Sequence, residues 1–236
     1  MAIRQLAKDR DYLLLTTPDD TEDSPWMVMG DPQWHAVDQF MSVLNLHVRR
    51  RRLPWYTASY MKITMRRPDG RPLDVAPDAF KVEADPHWRQ SYDVDAEGKP
   101  PELVVEVVSP WSYERDLEDK PTIYDAMGVR EFVIFFSRRR RRDPELTGYR
   151  RDRLGQFVPW QPDERGVLWC ETLGGLGITV ADGRWLRLVD ADGQLLPTAE
   201  EEADALLVEQ ERLRAVMAEA ERLREELRRL KEGDTR

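Results

Sequence analysis

The sequence predicts an α/β fold centred on one strand–helix–strand stretch, with a helix of different character at its C-terminal end. Three observations predict it. The run Leu103–Val108, L-V-V-E-V-V, is apolar without alternation, the mark of a strand covered on both faces. A polar break and a helical segment follow, D-L-E-D-K-P-T-I-Y-D-A-M, and lead into a second apolar run ending at Phe136. From Thr198 onward the pattern becomes a heptad-like repeat rich in charge.

Taken in order, residues 1–31 are polar and turn-rich, an irregular lead-in with a short apolar piece at Tyr12–Leu15. A helix is expected over Pro32–Arg51. Val37, Phe40, Met41, Leu44 and Val48 recur at helical spacing, and Asp31 precedes a proline at the first helical position. Strands are expected over Tyr56–Met65 and Val75–Val82, with a turn at Pro68–Gly70 between them, and a loop over Asp85–Pro101. After the central stretch come Arg138, Arg139, Arg140, Arg141 and Arg142 in unbroken succession. Short strands around Leu146–Arg150, Gln156–Trp160 and Val167–Thr172 then point to an antiparallel continuation of the sheet, closed by Arg184–Val189. The domain reading is a lead-in over 1–31, a globular domain over 32–197 and a C-terminal helix over 198–236.

In that helix Leu206, Leu213, Ala220 and Leu227 share one heptad position, and Val216, Leu223 and Leu230 share another, with Glu209 the misfit. Thr198 three residues before Glu201 makes a capping box. A parallel dimer would set Glu219 against Arg224 and Glu226 against Lys231. A single amphipathic helix docked on its own domain is the other reading.

Composition narrows the function. A net charge of −9 gives no global basic field for nonspecific nucleic-acid binding, although a local basic patch and a divalent cation can offset the average. One cysteine, Cys170, allows no intrachain disulfide and fits a reducing compartment. No stretch approaches the roughly 18–20 apolar residues of a membrane span, and no secretory leader pattern opens the chain. The expectation is a cytoplasmic protein without membrane association.

The chemistry-bearing residue is Glu106. It stands inside the apolar run on the same side as Val104 and Val108, and an isolated buried carboxylate must be neutralised or given a cation. Lys120 on the next helix and Asp78 in V-A-P-D-A-F-K-V are its candidate partners. Each has a plainer reading alone, Asp78 as a turn cap and Lys120 as a solvated helix residue. Tyr124, one turn after Lys120, reads as a packed aromatic. Asp116 and Asp119 read as acids at the favourable end of a helix dipole. Asp93, Asp95, Glu97 and Gly98 imitate the opening of a calcium loop, but Val104 occupies the place of its bidentate glutamate. Ser109 and Ser112 lack a nucleophile-elbow context.

The stretches V-A-P-D-A-F-K-V, P-E-L-V-V-E-V-V-S-P, D-L-E-D-K-P-T-I-Y and G-V-R-E-F-V-I-F resemble the Uma-two family, domain of unknown function 820, of the PD-(D/E)XK nuclease superfamily. The likeness spans roughly 34–198. It implies a restriction-endonuclease-like central mixed β-sheet flanked by helices. It also implies a divalent metal site from Asp78 and Glu106, with the backbone carbonyl of Val107 completing the shell. The lysine of the general motif would fall at Val108; the family carries it on the following helix, at Lys120. Where the family continues its last strand into an aspartate–proline pair, this chain has Phe136–Ser137.

The expected activity is that of a Mg²⁺- or Mn²⁺-dependent endonuclease hydrolysing DNA. Asp78 and Glu106 would hold the metal, Lys120 would stabilise the transition state, and Arg138–Arg142 would contact phosphates or deter edge pairing. His35 is an accessory candidate from the first helix. The alternative is a catalytically silent nuclease-fold protein assembling as a homodimer through its C-terminal helix or its globular domain.

Overall fold

The computed structural model describes residues 31–67, 69–108, 115–137 and 146–233. The lead-in before Asp31, Pro68 of the expected turn and the run Arg138–Arg142 lie outside the described residues. The chain divides into two compact units, Met1–Leu196 and Pro197–Arg236.

Helix α1 (Asp31–Arg51) buries Val37, Phe40, Met41 and Leu44 of the stripe its spacing predicts, with Val48 only partly buried, and buries Ala36 and Val43 besides. Arg49, Arg50 and Arg51 occupy its last turn, where positive charge opposes the helix dipole. The single strand expected over Tyr56–Met65 is two strands, β1 (Trp55–Ser59) and β2 (Ile63–Arg66), in different sheets. The break falls at Tyr60, a non-glycine residue at φ +53, whose N–H donates to the carbonyls of Pro77 (3.1 Å) and Asp78 (3.3 Å). The strand expected over Val75–Val82 likewise divides into β3 (Pro72–Val75) and β4 (Ala79–Glu83). Pro77 between them has no N–H to continue a ladder. The expected loop over Asp85–Pro101 contains a short strand, β5 (Tyr92–Asp93), and a one-turn helix, α2 (Val94–Glu97). Asp93 caps that turn by accepting from the N–H groups of Asp95 and Ala96, and Gly98 closes it at φ +75.

Next come β6 (Leu103–Val108), a π-helical turn (Arg115–Asp119) running into α3 (Lys120–Met127), and β7 (Glu131–Phe136). Two further strands follow, β8 (Leu146–Arg151) and β9 (Phe157–Trp160). The central sheet has the order β1-β4-β6-β7-β8-β9. It is mixed: β6 and β7 are parallel, with Glu106 opposite Ile134, and the other neighbours pair antiparallel. Every residue of β6 and β7 is buried, as a strand covered on both faces requires.

The expected continuation of this sheet through Val167–Thr172 is corrected. A tight turn, Asp163 N–H to the Val167 carbonyl at 2.9 Å, redirects the chain. Strand β10 (Leu168–Trp169) then pairs with β11 (Gly177–Ala181), and β11 with β12 (Trp185–Val189), in a separate antiparallel sheet. Gly177 permits the close approach there, since a Cβ would sit 2.2 Å from the Val167 side chain.

One face of the central sheet, with Leu103, Val105, Val107, Val133 and Phe135, packs against α1 and the β10–β12 sheet. The opposite face, with Val104, Val108, Phe132, Ile134 and Phe136, packs against α3 and the small β3-β2-β5 sheet. Two buried charges tie the chain after β10 to the central sheet. Lys81 reaches Glu102 at 2.5 Å and the Thr172 carbonyl at 2.9 Å, over the Trp55 ring. Glu131 accepts from the N–H groups of Glu171 and Thr172 and from the Thr172 hydroxyl.

The second unit is helix α4 (Ala199–Gly233). Its start is a reciprocal capping box: Thr198 N–H donates to Glu201 Oε2 at 2.7 Å, and Glu201 N–H to Thr198 Oγ1 at 3.0 Å. Leu206, Leu213, Val216, Leu223 and Leu227 are all exposed. Among the described residues no helix is long and apolar enough to cross a membrane.

Candidate active site

Strand β4 begins its pairing with β6 at Ala79, opposite Val105. Just before that residue the chain turns at Pro77–Asp78, so Asp78 stands level with Glu106 and Val107 rather than within the ladder. Asp78 Oδ2 accepts the Val107 N–H at 2.7 Å, and the Asp78 N–H donates to Glu106 Oε2 at 3.3 Å. Alternation along β6 sends Glu106 toward α3, on the side of Val104 and Val108.

Helix α3 and the π turn before it meet that carboxylate. Lys120 Nζ lies 2.8 Å from Glu106 Oε2 and 2.6 Å from Asp116 Oδ1. Tyr124 donates its hydroxyl to Glu106 Oε1 at 2.5 Å while its ring packs on Phe132. The three residues recur every fourth position and so share one helical face. All are buried, with Glu106 itself at 0% exposure and Asp116 at 1%.

The structure brings Asp78, Glu106 and Lys120 together. Val107 joins them through its backbone N–H. His35 does not: it is exposed, edge-on to Trp34 and Trp185 at 5.0 and 6.1 Å between ring centroids. The α1 residue that reaches the site is Gln33, whose amide stands 3.5 Å from Asp78 Oδ2. Sequence reasoning gave Asp116 to the helix dipole and Tyr124 to packing alone. Their spacing of four on either side of Lys120, opposite a strand carrying a buried acid, was the signal that could have found them. Tyr60 also borders the site through its backbone contact with Asp78.

Electrostatics follow from burial. The Glu106 carboxyl is raised to about 8, first by desolvation, with Lys120 working against the rise and Asp78 and Asp116 adding to it. Asp78 is raised too, first by burial, with the Val107 N–H and Lys120 working against the rise. Lys120 is held above its ordinary range because Glu106 and Asp116 outweigh its desolvation. The phenols of Tyr60 and Tyr124 are both pushed up, chiefly by burial and then by these carboxylates. Lysine therefore keeps its charge while the acids compete for too little of it. Counted with all groups ionised, Asp78, Glu106 and Asp116 face one cation, Lys120, leaving the cluster two positive charges short among the described residues.

That donor set fits a hard divalent cation. Mg²⁺ and Mn²⁺ bind carboxylate oxygens, commonly one or two from the protein, and take water and substrate oxygens for the rest. Among the described residues no three His, Cys, Asp or Glu side chains gather as a closed metal cage. Asp78 and Glu106 are the two carboxylates of the cluster that meet through the Asp78 N–H.

No curated protein matches the chain. A solved structure described as a putative nuclease belonging to DUF820, from Anabaena variabilis ATCC 29413, is similar to it at 13% identity and a TM-score of 0.37, over 51% of this chain and 69% of that one. Residues 25–181, a stretch that includes Asp78, Glu106, Asp116, Lys120 and Tyr124, match the model of the Uma2 family, described as putative restriction endonuclease, and the chain belongs to that family.

Proposed function

We propose that the protein is a Mg²⁺- or Mn²⁺-dependent endonuclease that hydrolyses phosphodiester bonds of DNA. The observation that carries the reading is the charge deficit: three buried carboxylates share one ammonium group, and a doubly charged cation makes up the difference. Asp78 and Glu106 are the residues that would hold it, the first from the corner before β4 and the second from the middle of β6. The N–H and C=O of a strand residue project to the same neighbour. The Val107 carbonyl therefore faces the Asp78 side, beyond the point where β4 stops pairing, and is available as a third oxygen.

When bound, the metal would polarise a phosphoryl oxygen and lower the pKa of a coordinated water. The chain's own residues do the remaining work. Lys120, kept protonated by its two acids, places positive charge beside the position where a phosphate would develop negative charge. Tyr124 fixes the Glu106 carboxylate through Oε1, leaving Oε2 as the oxygen able to exchange partners. Gln33 and the Val107 N–H orient Asp78. Burial by α3 and the β3-β2-β5 sheet keeps water from screening these charges. The run Arg138–Arg142 supplies a basic segment suited to backbone phosphates in a protein that is otherwise acidic.

The test is cleavage of supercoiled plasmid with Mg²⁺ or Mn²⁺ by wild type, Glu106→Ala and Lys120→Ala. The wild type is expected to nick and linearise the plasmid only with metal, and both variants to lose activity by at least about a hundredfold. Equal activity in all three would overturn the assignment.

The reading includes two copies acting together through α4, supported by its exposed heptad stripe and its flanking charges. It also puts the protein in the cytoplasm, supported by a lone cysteine, Cys170, that is buried and allows no intrachain disulfide.

A further inference from the structure

We infer that Asp116 is a positioning residue to which Lys120 is handed when a divalent cation takes Glu106. The inference rests on the metal-dependent reading above and concerns a residue that the metal site itself does not require. Lys120 is shared: its Nζ lies 2.8 Å from Glu106 Oε2 and 2.6 Å from Asp116 Oδ1. The Glu106 oxygens are both engaged, Oε1 by the Tyr124 hydroxyl and Oε2 by Lys120 and the Asp78 N–H. A cation arriving at Glu106 must therefore displace a partner, and Lys120 is the one whose positive charge it opposes.

Asp116 is suited to receive it. The side chain is 1% exposed, and Lys120, 2.6 Å from Oδ1, is the donor beside it among the described residues. A carboxylate buried where water does not compete is a high-cost arrangement unless a cation stays on it. One helical turn separates Asp116 from Lys120, and the ammonium is already in contact with it, so it can leave Glu106 and stay on Asp116 by side-chain rotation with the backbone fixed. Lys120 then stays charged and beside the metal without occupying its ligand.

This predicts an interaction between positions that a simple ligand would not show. With Asp116 removed, Lys120 has Glu106 as its carboxylate partner and competes harder with the cation. The probe is Mn²⁺ alone, titrated calorimetrically into wild type, Asp116→Asn, Lys120→Met and the double variant, with folding of each checked by thermal melting. Lys120→Met is expected to bind Mn²⁺ about tenfold more tightly than wild type, because the competitor is gone. Asp116→Asn is expected to bind about tenfold more weakly in the presence of Lys120, and to change affinity by no more than about threefold in the Lys120→Met background. Equal losses in both backgrounds would make Asp116 a ligand or a source of bulk charge and overturn the inference. Asp116→Glu, which keeps the anchor, is expected to stay within about threefold of wild type; if Asp116→Asn does not fold, a weakening in Asp116→Glu as large as that produced by Asp116→Ser overturns the inference instead. Failure of wild type to bind Mn²⁺ at all is a different result, and overturns the metal reading on which the inference rests.

Discussion

Asp78 and Glu106 are joined through the backbone of each other's strand: the Asp78 N–H donates to Glu106, and the Asp78 carboxylate accepts from the residue after Glu106. The arrangement fixes two carboxylates side by side. Like charges so placed repel, and the repulsion is not screened in a buried site. Lys120 relieves part of it, and burial of the whole cluster leaves the remainder as a cost of folding in the absence of metal.

That cost gives a pH dependence whose sign can be worked out. Glu106 has its folded pKa raised from 4.5 to about 8. Between these values the folded protein holds a proton that the unfolded chain has released, so its stabilising contribution is whole below pH 4.5 and is lost as pH rises toward 8. Asp78, also raised, acts in the same direction. In chelator, the melting temperature of wild type is expected to fall from pH 5 to pH 8, and Glu106→Gln to flatten most of that fall, a difference on the order of a few kcal/mol at pH 8. Mn²⁺ should restore wild type at pH 8 and leave Glu106→Gln nearly unchanged. Scanning calorimetry at several pH values checks it; parallel profiles for the two proteins would show that Glu106 is not the group responsible.

Glu106 was legible in the sequence because it breaks a local rule, a carboxylate inside a strand that must be covered on both faces. Its partners were less so. Lys120 and Asp78 have ordinary solvated readings by themselves, and the family resemblance connected them to Glu106. Asp116 and Tyr124 were misassigned because their meaning depends on which face of α3 meets the sheet, and a lone tyrosine or a helix-start aspartate carries no such information. The splitting of two expected strands at Tyr60 and at Pro77–Asp78 escaped for a related reason. Apolar residues continue across both breaks, and the backbone contact between Tyr60 and Asp78 that forces them is long-range. The β10–β12 sheet was missed because strand pairing is fixed by where turns send the chain.

Lys81 belongs to the same V-A-P-D-A-F-K-V stretch as Asp78, yet alternation along β4 turns it to the other face. There its side chain is 3% exposed, with the ammonium paired to Glu102 at 2.5 Å and to the Thr172 carbonyl at 2.9 Å. Lys81→Met fills the space but leaves Glu102 and that carbonyl without their cation. Because Glu102 keeps the Glu83 N–H and is 21% exposed, the loss should be moderate, about 2–3 kcal/mol by urea denaturation. Metal affinity is expected to be unchanged, since the substitution lies across the sheet from Asp78. A variant that loses Mn²⁺ binding while keeping its stability would place Lys81 in the site instead.

Helix α4 gives the last prediction. Leu206, Leu213, Val216, Leu223 and Leu227 are between 50% and 62% exposed, an apolar stripe at heptad spacing with no cover of its own. Burying each leucine against a second helix is worth roughly 1.5–3 kcal/mol, enough in sum to offset the ordering cost of a short coiled coil. The charges choose the direction. In a parallel pair Glu219 faces Arg224 and Glu226 faces Lys231 of the other copy; in an antiparallel pair positions equivalent to Glu219 and Glu226 would face one another, acid against acid. Sedimentation equilibrium is therefore expected to give a dimer for the full chain and a monomer after truncation at Pro197 or with Leu213→Glu. Glu219→Arg should weaken the dimer, by setting arginine against arginine, and the swap Glu219→Arg with Arg224→Glu should restore it. A full chain that sediments as a monomer would remove the dimer altogether, and a swap that fails to restore association would remove the parallel register.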